Sequence, residues 1–362
     1  MATFYEAVKH KNRLSPVLLK RAEIVAVGVG YADPKKPALG ASVIVYTEKK
    51  IMSSSLNNLK STMIKAGTSI PVRFVSSGVF KKHDLKAQPN ANVSKRKYRP
   101  VSGGVSIGKR EMGATGTAGL IVTKNNRLFV LSNNHVLVKD NSTEFSETVQ
   151  PGVVDGGVLG RDTIGRAYQF VKLRAGQDNF QDSAIAIPRA NRLLNPRYLI
   201  SSTGQLVTVP GHLTSYPVGQ KLVKSGRTSG YVTGTVESNN VDVRVSYGGS
   251  LGTLLFRNQS VIVGDSGAVS LPGDSGSVWL RASDRYAAAL NFAGTEDGKR
   301  SISNPIDVVL STYGVRVALP AAGGTFKEGS VKVVPATKQL YVQPLTMEQH
   351  KRTRATLVKS SK

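Results

Sequence analysis

Short apolar runs, broken by Gly, Pro, Asn and Asp, recur along most of this 362-residue chain. That pattern is the mark of strands joined by tight turns. Residues 5–22 read as a short basic helix. Two β-branched runs follow, Glu23–Tyr31 and Ala41–Tyr46, separated by a turn-rich Pro/Gly segment. Weak helical periodicity over 53–66 and a strand-like stretch at Ile70–Val79 complete a small α+β unit, expected over residues 1–82. Residues 83–103 are polar and carry two prolines and the basic cluster Lys95, Arg96, Lys97 and Arg99, so they read as a linker. From 104 to 320 the strands come thickly: Ala118–Val122, Leu128–Leu131, Ala184–Ile187, Val232–Glu237, Val241–Val245, Val261–Val263, Val278–Leu280 and Ala287–Phe292. Almost no helix is expected there, which argues for an antiparallel barrel or sandwich. Residues 321–362 add a strand at Val331–Val334 and a basic helical tail, with Thr346 as N-cap and Gln349 three residues on.

Composition narrows the chemistry. There is no cysteine, which removes disulfides, thiolate zinc sites and a cysteine nucleophile together. No run of 18 apolar residues occurs, so no membrane partner is expected. The first residues lack an apolar leader core, and a cytoplasmic location is the expectation. The formal charge of +26 is uneven. Residues 1–100 hold 19 Lys and Arg against 5 Asp and Glu, and residues 321–362 hold 8 against 2. Two basic flanks therefore enclose a nearly balanced centre. Such flanks attract nucleic acid or an acidic protein without reading sequence. Tyr98 is the one aromatic inside the Lys95–Arg99 cluster, and no base-reading motif is present.

The sharpest local signal is Pro272-Gly273-Asp274-Ser275-Gly276-Ser277, leading into the apolar Val278-Trp279-Leu280. A serine between glycines sits on a sharp turn with its hydroxyl exposed and backbone N–H groups near it. His135 follows the apolar run Leu128–Leu131, and Asp182 stands at the mouth of Ala184–Ile187. The order is His, Asp, Ser, with separations of 47 and 93 residues. This set supplies a weak nucleophile, a base to take its proton and a carboxylate to orient that base. Taken singly, each residue has an ordinary structural reading: His135 as a hydrogen-bonded histidine, Gly-Asp-Ser-Gly as a turn. A second Gly-Asp-Ser-Gly, residues 264–267, reads as such a turn at Ser266, since the apolar strand follows Ser275. Asp178 is the rival carboxylate, in a polar loop. His212 is expected in a surface turn. Asp155, Asp162, Glu144 and Glu147 show no metal spacing and read as solvated loop.

Together the segments around His135, Asp182 and Ser275 resemble the three catalytic segments of chymotrypsin-like (trypsin-fold) serine proteases. Lys224–Gly230, Ala289–Gly294 and Asn304-Pro305-Ile306 resemble further segments of bacterial members. The resemblance is strong over about 104–317 and weak over 20–80. It implies a mainly β protein with two antiparallel six-stranded barrels and an active site in the cleft between them. It implies Ser275 as nucleophile, His135 as base and then acid, and Asp182 as orienting carboxylate. The N–H groups of Gly273 and Ser275 would form the oxyanion hole. Asn291, Phe292 and Ala293 would pair with substrate, and Val269 would lie at the base of the specificity pocket. No cofactor is required. A protein or peptide is the implied substrate, and the oligomeric state is open. With no obvious activation cleavage site at residues 102–108, Asp274 must find a partner other than a released N-terminus, or none. The rival expectation, from another class, keeps the fold as a binding or assembly module whose basic flanks hold a polyanion or a partner.

Overall fold

The computed structural model describes residues 2–50, 70–82, 92–110, 115–335 and 342–360. It is mainly β. The helical periodicity at 53–66 lies outside the described residues.

Most of the expected strands form within a few residues of their predicted limits. Glu23–Tyr31 becomes Ile24–Tyr31, and Ala41–Tyr46 becomes Ala41–Thr47. The capping box at Thr346 and Gln349 starts the helix Met347–Arg352. Two expected strands, Val232–Glu237 and Val241–Val245, are halves of one long strand, Gly230–Gly248. Asn240 between them takes a left-handed φ of 52°, so the strand bends without ending. The helix Ile306–Tyr313 was not expected. Its apolar face is short and buried, so its residues read equally well as strand.

Among the described residues the strands fall into a 13-stranded, a 10-stranded and a 3-stranded sheet. In the largest, Lys221–Gly226, Gly230–Gly248, Gly252–Gly264, Val278–Arg281, Ala287–Thr295 and Arg300–Pro305 form a set in which each strand pairs with two others. Two separate six-stranded barrels were expected, and the strand order differs because the chain ends extend both sheets. Ile24–Tyr31 pairs antiparallel with Gly230–Gly248, then Ala41–Thr47 and Val72–Ser76 follow in order. In the 10-stranded sheet, Arg316–Pro320 and Phe326–Glu328 extend one end, and Ala355–Leu357 pairs with Thr163–Val171.

The N-terminal segment therefore shares a sheet with residues beyond 104, and it shares a core as well. Ala7, Leu14, Leu18, Val27 and Val43 are buried in one cluster with Leu213, Ile262 and Trp279. The helix Phe4–Leu18 begins at Thr3, whose hydroxyl accepts the Glu6 N–H while Glu6 reaches back to the Thr3 N–H. It docks through charge as well as apolar contact. Lys11 Nζ lies 2.7 Å from Asp242 Oδ1, and Arg257 Nη1 and the Ser15 hydroxyl donate to Asp242 Oδ2 at 2.8 and 2.6 Å.

Burial pushes the Asp242 carboxyl up, but Lys11 and Arg257 outweigh that and hold it below the ordinary carboxylate range. Asp242→Ala leaves the buried Lys11 ammonium unpaired and should cost about 3 kcal/mol of stability at neutral pH, read from urea melts. The sign with pH follows. The carboxylate's contribution is present above its unfolded pKa of about 4 and is lost as pH falls through its lower folded value. The variant and parent melts should therefore converge on acidification.

Candidate active site

His135 and Asp182 meet because of strand register. In the 10-stranded sheet Ala184 lies opposite Ser132 and Ile185 opposite Leu131. Strand Arg127–Ser132 runs out into the single-turn helix Asn134–Leu137 just where the chain of Asp182 enters its strand. Antiparallel pairing thus puts the end of one strand beside the start of the other. His135 Nδ1 is 2.5 Å from Asp182 Oδ2. Two more donors hold the carboxylate: the Asn134 N–H at 2.7 Å on Oδ1 and the Tyr247 hydroxyl at 2.6 Å on Oδ2.

The backbone of Asp182 is clamped too. Its N–H donates to Asn304 Oδ1 at 3.1 Å, and its carbonyl accepts from Asn133 and Asn304 side chains at 2.7 and 3.2 Å. Asp182 is fully buried. Burial pushes its carboxyl up, yet His135, Tyr247 and the Asn134 N–H together hold it below the usual carboxylate range. Burial and the adjoining Asp182 charge raise the Tyr247 phenol well above its ordinary value, so it stays a donor. The ring of Tyr247 meets that of His135 edge-on, with centroids 5.9 Å apart. With Nδ1 engaged, Nε2 is buried and has no hydrogen-bond partner among the described residues.

Ser275 comes from the other large sheet, on the turn before Val278–Arg281. The turn lies against Thr115–Thr117 of the His135 sheet. The Thr117 N–H donates to the Ser275 carbonyl at 2.7 Å, and its hydroxyl donates to the Gly273 carbonyl at 2.9 Å. Gly273 and Gly276 have φ of 99° and 93°, which other residues rarely adopt. A Cβ on Gly276 would also lie 2.1 Å from both Ser132 Oγ and the Thr117 carbonyl. A Cβ on Gly116 would strike Val136 and the Ser275 carbonyl alike, at 2.6 and 2.7 Å. The chain beside His135 and the serine turn are that close.

Among the described residues the N–H groups of Gly273 and Ser275 have no acceptor, while the intervening Asp274 N–H donates to Leu271 O at 2.9 Å. The Ser275 hydroxyl points to the Phe292 carbonyl at 3.4 Å. The expected bond to His135 Nε2 is not formed. A serine hydroxyl turns freely about its Cα–Cβ bond, and such bonds often tighten only when substrate is present.

Asp274 has internal partners. Its Oδ1 accepts the Thr228 and Ser229 N–H groups, each at 2.9 Å, and its Oδ2 accepts that of Leu271 at 2.9 Å. Lys224 Nζ lies 3.8 Å away, both side chains being fully buried. Burial pulls the Lys224 ammonium down, and the Asp274 charge opposes it. The ammonium also sits 5.3 Å from the Trp279 ring centroid.

Several expectations need correction. His212 is not in a surface turn: it is buried in Gly211–Leu213, its Nε2 3.1 Å from Asp307 Oδ1. Asp162 is buried and Asp155 is half-buried with its side chain turned inward, so neither is a solvated loop carboxylate. Asp155 makes a two-pronged pair with the buried Arg227 at 2.8 and 2.5 Å, and Asp162 pairs with Lys97 at 2.6 Å. These cations supply the desolvated carboxylates with the charge that a loop would have drawn from water. Asp178 pairs with Arg257 at 3.1 Å, and Ser266 lies exposed in a bend after Gly252–Gly264.

Val269 is 1% exposed and packs with Ile262 and Trp279. Asn291, Phe292 and Ala293 are all fully buried. Asn291 accepts the Ser270 and Ser301 hydroxyls and donates to the Asp274 carbonyl at 3.0 Å. A cavity of about 710 Å³ opens beside His135, lined also by Lys82, Lys109, Tyr247 and Gly248.

Tyr247 was not anticipated. It lies 65 residues from Asp182 at the far end of a bent strand, and nothing local in the sequence marks it. Asn304 belongs to a segment the resemblance had singled out. Tyr247→Phe removes one donor to the buried Asp182 carboxylate and should cost about 2 kcal/mol of stability, read from urea melts.

A mainly β protein with a buried His–Asp pair on one large sheet and a glycine-rich serine turn on the other, packed against Thr117 of the first, resembles the chymotrypsin-like serine proteases. Part of the chain is similar to known proteins. Streptogrisin-C of Streptomyces griseus is 30% identical over 193 residues, which span 51% of this chain and 39% of that protein. No family model matches. Similar solved structures include a glutamic acid specific serine protease that uses a histidine triad in substrate binding, at 21% identity and a TM-score of 0.43. Cellulomonas bogoriensis chymotrypsin, at 23% identity and a TM-score of 0.42, is another. These cover 60% of this chain and 100% and 97% of their own.

Proposed function

We propose that this protein is a serine endopeptidase that hydrolyses peptide bonds through an acyl-enzyme. The observation that carries this reading is the buried His135–Asp182 pair at 2.5 Å, with Nε2 unpartnered among the described residues and the adjoining Val136 close, across Gly116, to the Ser275 carbonyl. In the proposed cycle Ser275 Oγ attacks the scissile carbonyl carbon while His135 Nε2 takes the hydroxyl proton. The Gly273 and Ser275 N–H groups stabilise the charge that grows on the carbonyl oxygen. His135 then hands its proton to the leaving amine, and the C–N bond breaks to leave an ester on Ser275. Water, deprotonated by the same imidazole, attacks the ester carbon; the bond from Ser275 Oγ to that carbon breaks, His135 returns the proton to Oγ, and the acid leaves. Asp182 remains ionised throughout and fixes the imidazole so that Nε2 faces the serine.

The two large sheets are read as the two barrels of the family, each carrying part of the triad. What favours this for the Ser275 sheet is its set of six strands, each paired with two others. With Val269 and no acid at the pocket base, a small or apolar side chain before the scissile bond is the proposed preference. The internal partners of Asp274 support an active site that assembles without proteolytic activation. A fluorophosphonate probe should label the parent protein on a peptide containing Ser275, located by mass spectrometry. Absence of labelling, together with no cleavage of a peptide library, would overturn the reading.

A further inference from the structure

One edge of strand Ala287–Thr295 has three successive neighbours. Val278–Arg281 pairs with its first half. Gly276 and Ser277 continue that edge, exchanging bonds of 2.9 Å with the carbonyl and N–H of Asn291. Further on, Lys81 and Phe80 pair antiparallel with Gly294 and Thr295. Phe292 and Ala293 alone separate the serine turn from this last pair, and the Phe292 carbonyl is the one that receives the Ser275 hydroxyl. The opposite edge is taken by Arg300–Pro305.

Because the pairing is antiparallel, the chain from Phe80 to Lys82 runs toward Ser275. The Lys82 N–H donates to Ser246 O at 2.9 Å, and Lys82 lines the same cavity as His135 and Tyr247. Phe80 is fully buried, edge-on to Tyr46 with centroids 6.0 Å apart, in one cluster with Tyr247, Phe256 and Phe292. Lys81 reaches Glu296 at 3.2 Å on the surface.

We propose that Val79–Lys82 is a built-in peptide occupant of the catalytic cleft. It lies where an extended peptide would add a strand on its way to Ser275, so the site takes extended chains with an aromatic side chain in the Phe80 position. The resting protein is held back by its own segment until a substrate displaces it. The proposal rests on the reading of Ser275 as nucleophile. Added strands bind through main-chain hydrogen bonds, with side-chain pockets setting the choice of ligand. A tethered segment acts at an effective concentration near the millimolar range, so a free peptide competes poorly with it.

The test compares the parent with Phe80→Ala, which empties the aromatic pocket, and Glu296→Lys, which leaves the core untouched and repels Lys81. A small fluorophosphonate needs no strand pairing and should label all three at one rate. On an extended fluorogenic peptide, kcat/KM should rise about tenfold or more in Phe80→Ala and about two- to fivefold in Glu296→Lys. Equal labelling with equal kcat/KM in all three overturns the proposal. A fluorescent peptide with the sequence of residues 77–82 gives a readout that needs no catalysis. It should bind Phe80→Ala at least about tenfold more tightly than the parent, and equal binding overturns the proposal even if no probe labels Ser275.

Discussion

Ser275→Ala should lower turnover about 10⁶-fold on any peptide the parent cleaves, the loss expected when the nucleophile of such a triad is removed. KM should change little, since the serine hydroxyl contributes little to holding the substrate before reaction. The fold should survive. Among the described residues Ser275 Oγ makes a single hydrogen bond, of 3.4 Å, to the Phe292 carbonyl. The turn itself is held by main-chain groups, through Thr117 and Asn291. Thermal melting within a degree or two of the parent, with turnover at background, is the expected pair of measurements. Ser266→Ala should leave both unchanged, because that serine lies exposed in its bend. Parent-like turnover in Ser275→Ala would remove the whole assignment.

Asp182→Asn should cost about 10⁴ in kcat, and the geometry says why the isosteric change is so severe. Oδ2 receives both His135 Nδ1 at 2.5 Å and the Tyr247 hydroxyl at 2.6 Å, while Oδ1 receives the Asn134 N–H. All three partners are donors when His135 carries its proton on Nδ1. An asparagine must present its NH₂ to one side or the other. Facing His135, it forces the imidazole to accept at Nδ1 and move its proton to Nε2, where it can no longer take one from Ser275. Facing Asn134, it sets two N–H groups against each other in a fully buried site. Steady-state kinetics with a single substrate gives the fall in kcat. Measurement of the imidazole proton by NMR should show it transferred from Nδ1 to Nε2.

Much of the candidate site was legible from local pattern. An apolar run leading into His135, another entered through Asp182 and a glycine-bracketed Ser275 before a third each mark a candidate side chain at a strand end. The corrections share one cause. His212, Asp155 and Asp162 look like surface residues because polar letters amid Gly and Pro resemble loops. Each instead turns its side chain inward against a partner far along the chain: Asp307, Arg227 and Lys97. Burial of a charge depends on whether a counter-charge arrives from elsewhere, and spacing within one segment does not encode that.

Where the strands of the α+β unit expected over residues 1–82 would pair was not legible, for a related reason. A strand such as Ile24–Tyr31 carries its own turn signals and alternation, but its letters do not name the edge it joins. That edge is the bent strand Gly230–Gly248, which also delivers Tyr247 to Asp182.

From its letters alone this chain determines a β-rich protein with basic ends, and a serine, a histidine and an aspartate at strand boundaries as candidates for catalytic roles. Those are short-range properties, set by turn chemistry and alternation over a few positions. Tertiary structure decided the rest: that Tyr247 joins the acid–base pair, that Lys224 and backbone N–H groups hold Asp274, and that Phe80 and Lys81 lie along the strand beside the serine. Such contacts join residues from about 50 to more than 200 positions apart, and only packing of the whole chain selects among the many partners each could have taken.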